Sequence, residues 1–124
     1  MPKKSMRVVI PIADEEGRRL SEHFGRAPYF AVIEIDEGKV VDREVIPNTS
    51  EHFGGYGRPP DRLLSLQPDA IITVGMGPRA LSRFQEADVA VIQAEGLDVE
   101  ANLRRFLEGS LRELTEGCLE ARWR

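Results

Sequence analysis

The sequence is poor in cysteine and has no long apolar run, and each shortage excludes a class of protein or site. Its single cysteine, Cys118, excludes an internal disulfide and any all-cysteine metal site within one chain. No apolar run approaches the roughly 20 residues of a membrane-spanning helix, so we expect no membrane partner. Residues 1–5, which include two lysines, are followed by a strand-like segment and not by the apolar core of a signal peptide. We therefore expect a cytoplasmic protein.

Positive charge is not in excess either. The 124 residues carry a net charge of −4, with acidic and basic side chains interspersed along the chain. A nucleic-acid groove needs a concentrated basic face, so we expect no nucleic-acid partner. One or two arginines could still hold a small anionic ligand. With 41% hydrophobic residues, the chain is predicted to form one globular domain with a hydrophobic core.

Residues 21–27, Ser-Glu-His-Phe-Gly-Arg-Ala, have the composition of a ligand-binding loop and are called the histidine loop below. The neutral imidazole of His23 can coordinate a soft or borderline metal. Gly25 either permits a backbone conformation that other residues resist or lets a ligand approach the chain closely. Arg26 adds a permanent positive charge and a planar fork of donors for an anionic group. An ordinary loop histidine that bonds to backbone is the alternative interpretation of His23.

Part of the histidine loop recurs later in the chain. The segment Glu-His-Phe-Gly occurs a second time at 51–54, so both histidines of the chain, His23 and His52, lie in the two copies. The second copy belongs to a connection over 48–60 that is rich in glycine and proline, and connections of that length are usually functional or mobile. We therefore predict His23 and His52 as candidate metal ligands.

The second candidate is the segment Gly-Met-Gly-Pro-Arg at 75–79, called the glycine turn below. It lies between a predicted strand and a predicted helix. Pro78 suits the first helical position, and the free N–H groups of a helix start attract anions. We assign Gly75, Gly77 and Arg79 to this site. The segment is not a Walker loop, and a plain tight turn stays open as an alternative. Ligands of parallel sheets collect at the carboxyl ends of strands, so we expect both loops on one rim.

Hydrophobic periodicity predicts an α/β fold. The first apolar segment reads as a buried strand, although Pro11 cannot donate to a ladder and is therefore placed near its end. A hairpin follows, and its second strand carries Asp42, Arg43 and Glu44, which are typical of an edge strand. Alternating strands and helices in the second half imply parallel strands with helices on the sheet faces. We predict strands at 7–13, 29–35, 40–46, 70–74 and 89–92, and helices at 61–67, 78–86 and 99–108.

The last helix has clear ends and a clear apolar stripe. Asp98 caps it and Gly109 ends it. The residues 110–124 that follow are predicted to form a loosely held C-terminal tail. The stripe consists of Val99, Leu103, Phe106 and Leu107. A short helix in the tail would use the spacing of Leu111, Leu114 and Cys118.

No pattern typical of catalysis is present. A carboxylate cluster for two-metal hydrolysis would have to use Asp14, Glu34, Asp36 and Asp69. Asp36 and Asp69 are better explained as turn and strand-start residues, and Glu34 as a solvent-facing strand position. No Ser/His/Asp or Cys/His arrangement occurs in a recognisable context, so we predict that the chain is not an enzyme. Met76 and Phe24 are predicted to pack rather than to bind a ligand.

Three segments, read in order, resemble the dinitrogenase iron–molybdenum cofactor biosynthesis family, which includes NifX-like proteins and the C-terminal domain of NifB-like proteins. They are Val-Ile-Pro-Ile at 9–12, Ser-Glu-His-Phe-Gly-Arg-Ala-Pro-Tyr-Phe at 21–30 and Gly-Met-Gly-Pro-Arg-Ala at 75–80. The resemblance covers a domain at 6–109 and leaves 110–124 as the tail. It implies a ribonuclease-H-like three-layer fold with a mixed five-stranded sheet in the order 3-2-1-4-5, whose second strand is antiparallel.

The resemblance also implies a function. Family members of known role bind iron–sulfur cofactor precursors and carry them between assembly proteins, and they are not known as catalysts. This chain would then bind an iron–sulfur cluster or an iron–molybdenum cofactor precursor transiently, with metal-cluster assembly or acceptor proteins as partners. A sensor or interaction module that binds a small anion or nucleotide at the glycine turn is the alternative function. By match, the binding loop comprises His23, Gly25 and Arg26, the facing turn comprises Gly75, Gly77 and Arg79, and His52 falls in a loop that varies among relatives.

Overall fold

A computed structural model describes residues 5–49 and 59–114 of the protein, with the backbone alone at 59 and 60. Its elements are β1 (Ser5–Ile12), β2 (Tyr29–Asp36), β3 (Lys39–Pro47), α1 (Pro59–Ser65), β4 (Ala70–Thr73), α2 (Pro78–Glu86), β5 (Ala90–Gln93) and α3 (Val99–Glu108). The strands form one sheet in the order β3-β2-β1-β4-β5. β2 is antiparallel to both of its neighbours, and β4 is parallel to β1 and β5. The predicted α/β class, the strand order and the antiparallel second strand are confirmed.

The central position of β1 is compatible with its proline. Residues 8–12 are all buried. Pro11 still pairs with β2, whereas the ladder with β4 stops two residues earlier, at Val9. The Arg7 carbonyl accepts the N–H of Asp69 just before β4, so odd-numbered residues of β1 direct their backbone groups towards β4. The N–H that Pro11 lacks would therefore point beyond the end of that ladder. The predicted placement of Pro11 near the strand end is confirmed.

The two faces of the sheet bury separate hydrophobic clusters. On β2, Phe30 and Val32 join one cluster while Ala31, Ile33 and Ile35 join the other, as strand alternation predicts. The first cluster also contains Leu63 of α1 and Leu81 and Phe84 of α2, and we call this side the α2 face. The second contains Val99 and Leu103 of α3 and defines the α3 face. Parallel strands thus have helices packed against them on either side.

β3 forms one edge of the sheet and is protected against further pairing. Asp42, Arg43 and Glu44 are exposed along it, as predicted for an edge strand. The register with β2 slips at Val41, which is 62% exposed, and such a bulge also disrupts pairing. Arg43 reaches from β3 to α3, where its Nη2 donates to Oε1 of Glu100 at 2.9 Å. Edge strand and helix are therefore joined by an ion pair.

Most helix and strand limits agree with the sequence, and the exceptions have local causes. α2 spans the predicted residues. α1 begins at Pro59, two residues before its predicted start, because proline suits the first turn of a helix. It ends at Ser65, before Gln67, whose φ of 55° is left-handed. Leu107 was expected in the buried stripe of α3, but it is 39% exposed, and this prediction is wrong. At 100° per residue, Leu107 lies about 80° away from Val99 around the helix.

The residues that follow α3 do not continue the helix. After a bend at 111, residues 112–114 pair antiparallel with β5 through a bridge between Ile92 and Glu113. The helix that the leucine spacing allowed is therefore not formed over these residues. The remainder of the tail, with Cys118, lies outside the described residues.

No helix in the described part of the chain is long and apolar enough to cross a bilayer.

Candidate functional site

The histidine loop begins at the carboxyl end of β1. After β1 the chain turns back, and the N–H of Ser21 donates to the carbonyl of Pro11 at 2.9 Å. Leu20 is buried and forms an antiparallel bridge with Ile12. Asp14 holds the turn because its carboxylate accepts two backbone N–H groups within it, at 2.9 and 3.1 Å. These bonds fix the position from which the histidine loop starts.

Ser21 holds the backbone of His23 in place. Its hydroxyl donates to the His23 carbonyl at 2.8 Å and accepts the His23 N–H at 3.2 Å, and Ser21 itself is buried. The imidazole of His23 is exposed and has no hydrogen-bond partner in the described part of the chain. The interpretation of His23 as a side chain bonded to nearby backbone is therefore not realised among these residues. An accessible ring on a fixed backbone is suited to meet a ligand.

Phe24 anchors the histidine loop on α2. Its ring is 7% exposed and meets the ring of Phe84 edge to face, with centroids 5.7 Å apart and planes at 84°. Ala27, at the end of the loop, joins the same cluster, and so does Met76 of the glycine turn. The histidine loop and the glycine turn therefore follow the carboxyl ends of two neighbouring parallel strands, β1 and β4, and both contribute to the cluster of the α2 face. Phe24 and Met76 pack in the core, as predicted.

The glycine turn leads from β4 into α2. The buried hydroxyl of Thr73 donates to the Gly75 carbonyl at 3.3 Å and holds the start of the turn. Gly77 is the N-cap of α2, and it makes no side-chain capping bond because it has no side chain. Pro78 follows at the first helical position, as predicted. The N–H of Leu81 is the first to bond within the helix, to the Gly77 carbonyl, so the N–H groups of residues 79 and 80 stay available to an anion.

At two positions of the candidate site, Gly25 and Gly77, the backbone conformation is one that other residues can also adopt. Gly77 has φ −66°, and Gly25 is not among the residues with positive φ. A Cβ added to either would meet no atom within 4 Å. Of the two reasons offered for Gly25, a special backbone conformation is therefore wrong. Close approach of a ligand to bare backbone stays a prediction.

The charge at the site comes from two arginines. Arg26 and Arg79 are both exposed, and neither makes an ion pair within the described residues. Arg83, further along α2, is instead paired with Asp61 of α1. Two guanidiniums beside the histidine loop and the glycine turn therefore stay available to an anionic ligand, with the positive end of α2 next to them.

Asn48 joins the histidine loop to α1. Its Nδ2 donates to the Ala27 carbonyl and its Oδ1 accepts from Nη1 of Arg62, both at 2.8 Å. Its N–H donates to the Pro28 carbonyl at 2.9 Å. The connection that carries His52 therefore starts beside the histidine loop. His52 itself, the second predicted metal ligand, lies outside the described residues.

Three of the four carboxylates considered for catalysis have structural partners, and these lie at two separate places. Asp14 belongs to the turn after β1. At the opposite, amino end of β1, Glu34 pairs with Nε of Arg7 at 2.7 Å and Asp69 accepts the Arg7 N–H at 2.8 Å. They flank a polar pocket of about 350 Å³ there. Within the described residues, no three His, Cys, Asp or Glu side chains lie close enough to share a metal ion.

Sequence reasoning missed the residues that shape the site. The sequence did not indicate Thr73 and Asn48, although each holds the backbone of a candidate loop through the carbonyl of Gly75 or Ala27. The signal for Thr73 was a hydroxyl in an otherwise apolar strand, where a buried polar group needs a partner. Asn48 had no comparable signal, since its partners Ala27 and Arg62 are distant in the chain.

Comparisons with known proteins agree with the motifs. The family model described as dinitrogenase iron–molybdenum cofactor matches residues 6–109. The uncharacterized protein MJ0580 of Methanocaldococcus jannaschii is 33% identical over 112 residues, which are 89% of this chain and 92% of that protein. A structure of a Thermotoga protein assigned to NifB is 28% identical with a TM-score of 0.69, over 89% of this chain and 94% of that one. MJ0327 of M. jannaschii, assigned as a dinitrogenase, shares the fold with a TM-score of 0.75 at 24% identity, over 90% and 97% of the two chains. The chain belongs to the dinitrogenase iron–molybdenum cofactor family.

Proposed function

We propose that this protein is a non-catalytic carrier for an anionic iron–sulfur-type cluster or a nitrogenase cofactor precursor. The observation that carries the proposal is that Phe24 and Ala27 of the histidine loop and Met76 of the glycine turn belong to one hydrophobic cluster, which supports a site shared by the two loops. An exposed imidazole, two guanidiniums and the first N–H groups of α2 accompany them, and none of these groups has a partner among the described residues. Family membership favours a ligand of this class over other anions.

The groups available at the site are suited to a cluster that is bound weakly. Protein-bound iron–sulfur clusters are usually ligated by several cysteine thiolates. The described part of the site offers one imidazole, His23, and no thiolate, while Met76 is 4% exposed and turned into the core. The remaining groups, Arg26, Arg79 and the N–H groups at the start of α2, bind charge rather than metal. Such a site would hold a cluster that keeps most of its own ligands, as a carrier must if it is to release it.

His52 would supply a second imidazole. Asn48 starts its connection beside the histidine loop, and α1, where the chain is described again, is tied back to Asn48 through Arg62. Both ends of the connection therefore lie near the site. Metal-cluster assembly and acceptor proteins would be the partners. The carrier domain would comprise 6–109 in a ribonuclease-H-like three-layer arrangement, an idea that the two separate core clusters support.

The test is anaerobic incubation of the purified protein with a reconstituted iron–sulfur cluster or an extracted cofactor precursor. Gel filtration and metal analysis then measure the metal that stays with the protein. We expect bound iron in wild type and in Arg104→Ala, a matched control because Arg104 is exposed on α3. A triple variant of His23, Arg26 and Arg79 to alanine should lose it. Wild-type protein without iron under every condition would contradict the proposal. A thermal shift with phosphate or nucleotides instead would favour the small-anion sensor.

A further inference from the structure

Residues 110–114, called the strap below, cover the second edge of the sheet. The N–H of Gln93 donates to the Arg112 carbonyl at 2.8 Å, and the N–H of Leu114 donates to the Val91 carbonyl at 2.6 Å. The two bonds flank the antiparallel bridge between Ile92 and Glu113. Two outward backbone groups of β5, the Gln93 N–H and the Val91 carbonyl, are therefore bonded to a segment that lies beyond the 6–109 match of the family model.

Two leucines fix the strap on both sides of the sheet. Leu111 packs against the cluster of the α3 face, whereas Leu114 packs against the cluster of the α2 face. Both are only partly buried. The strap follows Gly109, whose φ of 75° ends α3 in the left-handed region. The strap is thus held by two backbone bonds and two half-buried side chains after a glycine, and segments with so few contacts are the ones that open locally in proteins.

The two edges of the sheet are protected by different means. β3 carries three charged residues and a bulge at Val41, and both features discourage pairing with another strand. β5, over 90–93, reads Ala-Val-Ile-Gln and has neither a charge nor a bulge. A short, uncharged edge with free backbone groups is a template for another strand. In this protein the strap occupies that edge of β5.

Without the strap, the backbone groups along the edge of β5 would be complementary to those of a second β5. Because even-numbered residues of β5 bond to β4, the N–H and carbonyl groups of Val91 and Gln93 face outward, and they are placed symmetrically about Ile92. In an antiparallel pair around a twofold axis at Ile92, the Gln93 N–H of each copy would face the Val91 carbonyl of the other. Ile92 would then lie opposite Ile92 on the same face, with no like charges opposed.

We propose that the strap is a detachable edge strand, and that its release lets β5 pair with β5 of a second copy to form one continuous sheet. The occupant of the exposed edge is thus this chain itself. The inference is independent of the proposed carrier function.

The test releases the strap in the full-length chain by the double substitution Leu111→Asp and Leu114→Asp, which removes its packing on both faces. Leu107→Asp is the matched control, because Leu107 is an exposed leucine of α3 outside the strap. Sedimentation velocity measures mass over a series of protein concentrations. We expect the release variant to reach twice the mass of wild type, and the control to keep the wild-type mass. Adding Gln93→Pro, which removes the outward donor, should restore the wild-type mass. A release variant that stays folded and keeps the wild-type mass would overturn the proposal.

If the release variant does not fold, amide hydrogen exchange of the wild-type protein tests whether the strap opens by itself. The Gln93 and Leu114 amides bond only across the strap, whereas even-numbered residues of β5 direct their backbone groups to β4. We expect the Gln93 and Leu114 amides to exchange at least about tenfold faster than that of Ile92, through local opening. Equal protection of all three would mean that the strap opens only with the whole fold, and the proposal would fail.

Discussion

Phe24 and Phe84 meet edge to face, and this contact connects the candidate ligand loop to the helix whose first turn completes the site. Phe84 is fully buried on α2, and Phe24 reaches it from a loop whose neighbouring His23 is exposed. Adjacent residues of one loop thus differ, because Phe24 packs in the core and His23 faces solvent. The stability of the contact and the position of His23 should therefore be coupled.

We expect a measurable coupling energy between the two rings. Phe24→Leu and Phe84→Leu should each lower the free energy of unfolding, and a double-mutant cycle should give about 0.5–1.5 kcal/mol of interaction. Urea unfolding measures all four proteins. Phe24→Leu combined with Leu103→Ala is the control, because Leu103 belongs to the cluster of the opposite face and the two effects should add. Additive effects for the two phenylalanines would show that the rings do not interact.

The binding residues should separate by role. His23→Ala should weaken cluster binding most, because the imidazole of His23 is the only strong donor in its loop for a soft or borderline metal. Arg26→Ala and Arg79→Ala should each weaken it by roughly 10- to 100-fold, the value of one charge-assisted hydrogen bond. His52→Ala should have a smaller effect, since its loop also loses entropy on ordering.

Equilibrium binding under anaerobic conditions measures these effects, and circular dichroism confirms that each variant is folded. Undiminished binding by the double variant His23→Ala, His52→Ala would refute the assignment of both histidines. The donor to test next would then be Cys118.

Gly25 should tolerate alanine in the free protein. Its backbone is not left-handed and the space around its Cα is open, so Gly25→Ala should stabilise the fold by about 0.4–1 kcal/mol. Gly109→Ala is the contrasting variant, because its φ of 75° should make alanine cost about 1–2 kcal/mol. Thermal unfolding distinguishes the two. A loss of binding in stable Gly25→Ala would indicate that the ligand approaches the backbone there, whereas a loss of stability would mean that the loop needs glycine after all.

The ion pair between β3 and α3 should make stability depend on pH in the acid range. The hydrogen bond from Arg43 lowers the pKa of Glu100 below its ordinary value of 4.5. Because the pKa in the folded state lies below that in the unfolded state, the stabilisation is complete above the unfolded pKa. It is lost as the pH falls through the folded pKa.

Glu100→Gln should therefore cost about 0.2–1 kcal/mol at neutral pH, as is usual for an exposed pair, and much less at pH values below the folded pKa. Urea unfolding at several pH values measures the difference. Glu108→Gln is the matched control on the same helix, since Glu108 makes no ion pair with a described residue. An equal effect of Glu100→Gln at all pH values would contradict the role of the pair.

Much of the fold could be predicted because its signals are local. The charges of β3 indicated an edge, the alternation of β2 assigned its residues to two faces, and Pro78 marked the start of α2. The prediction failed where helical spacing alone did not decide whether a side chain is buried. Leu107 has a helical spacing that fits the stripe, yet it lies at the margin of the stripe and stays exposed.

The sequence by itself determined the elements, the chemistry available at each loop and, through a family resemblance, the strand order. Periodicity and turn residues act within a few positions, so they can be read along the chain. Only the tertiary structure decided that Phe24 packs on Phe84, that Asn48 joins two distant segments, and that the strap covers β5. These contacts join residues far apart in sequence, and they form because buried rings, backbone groups and a bare sheet edge each need a partner that no local pattern specifies.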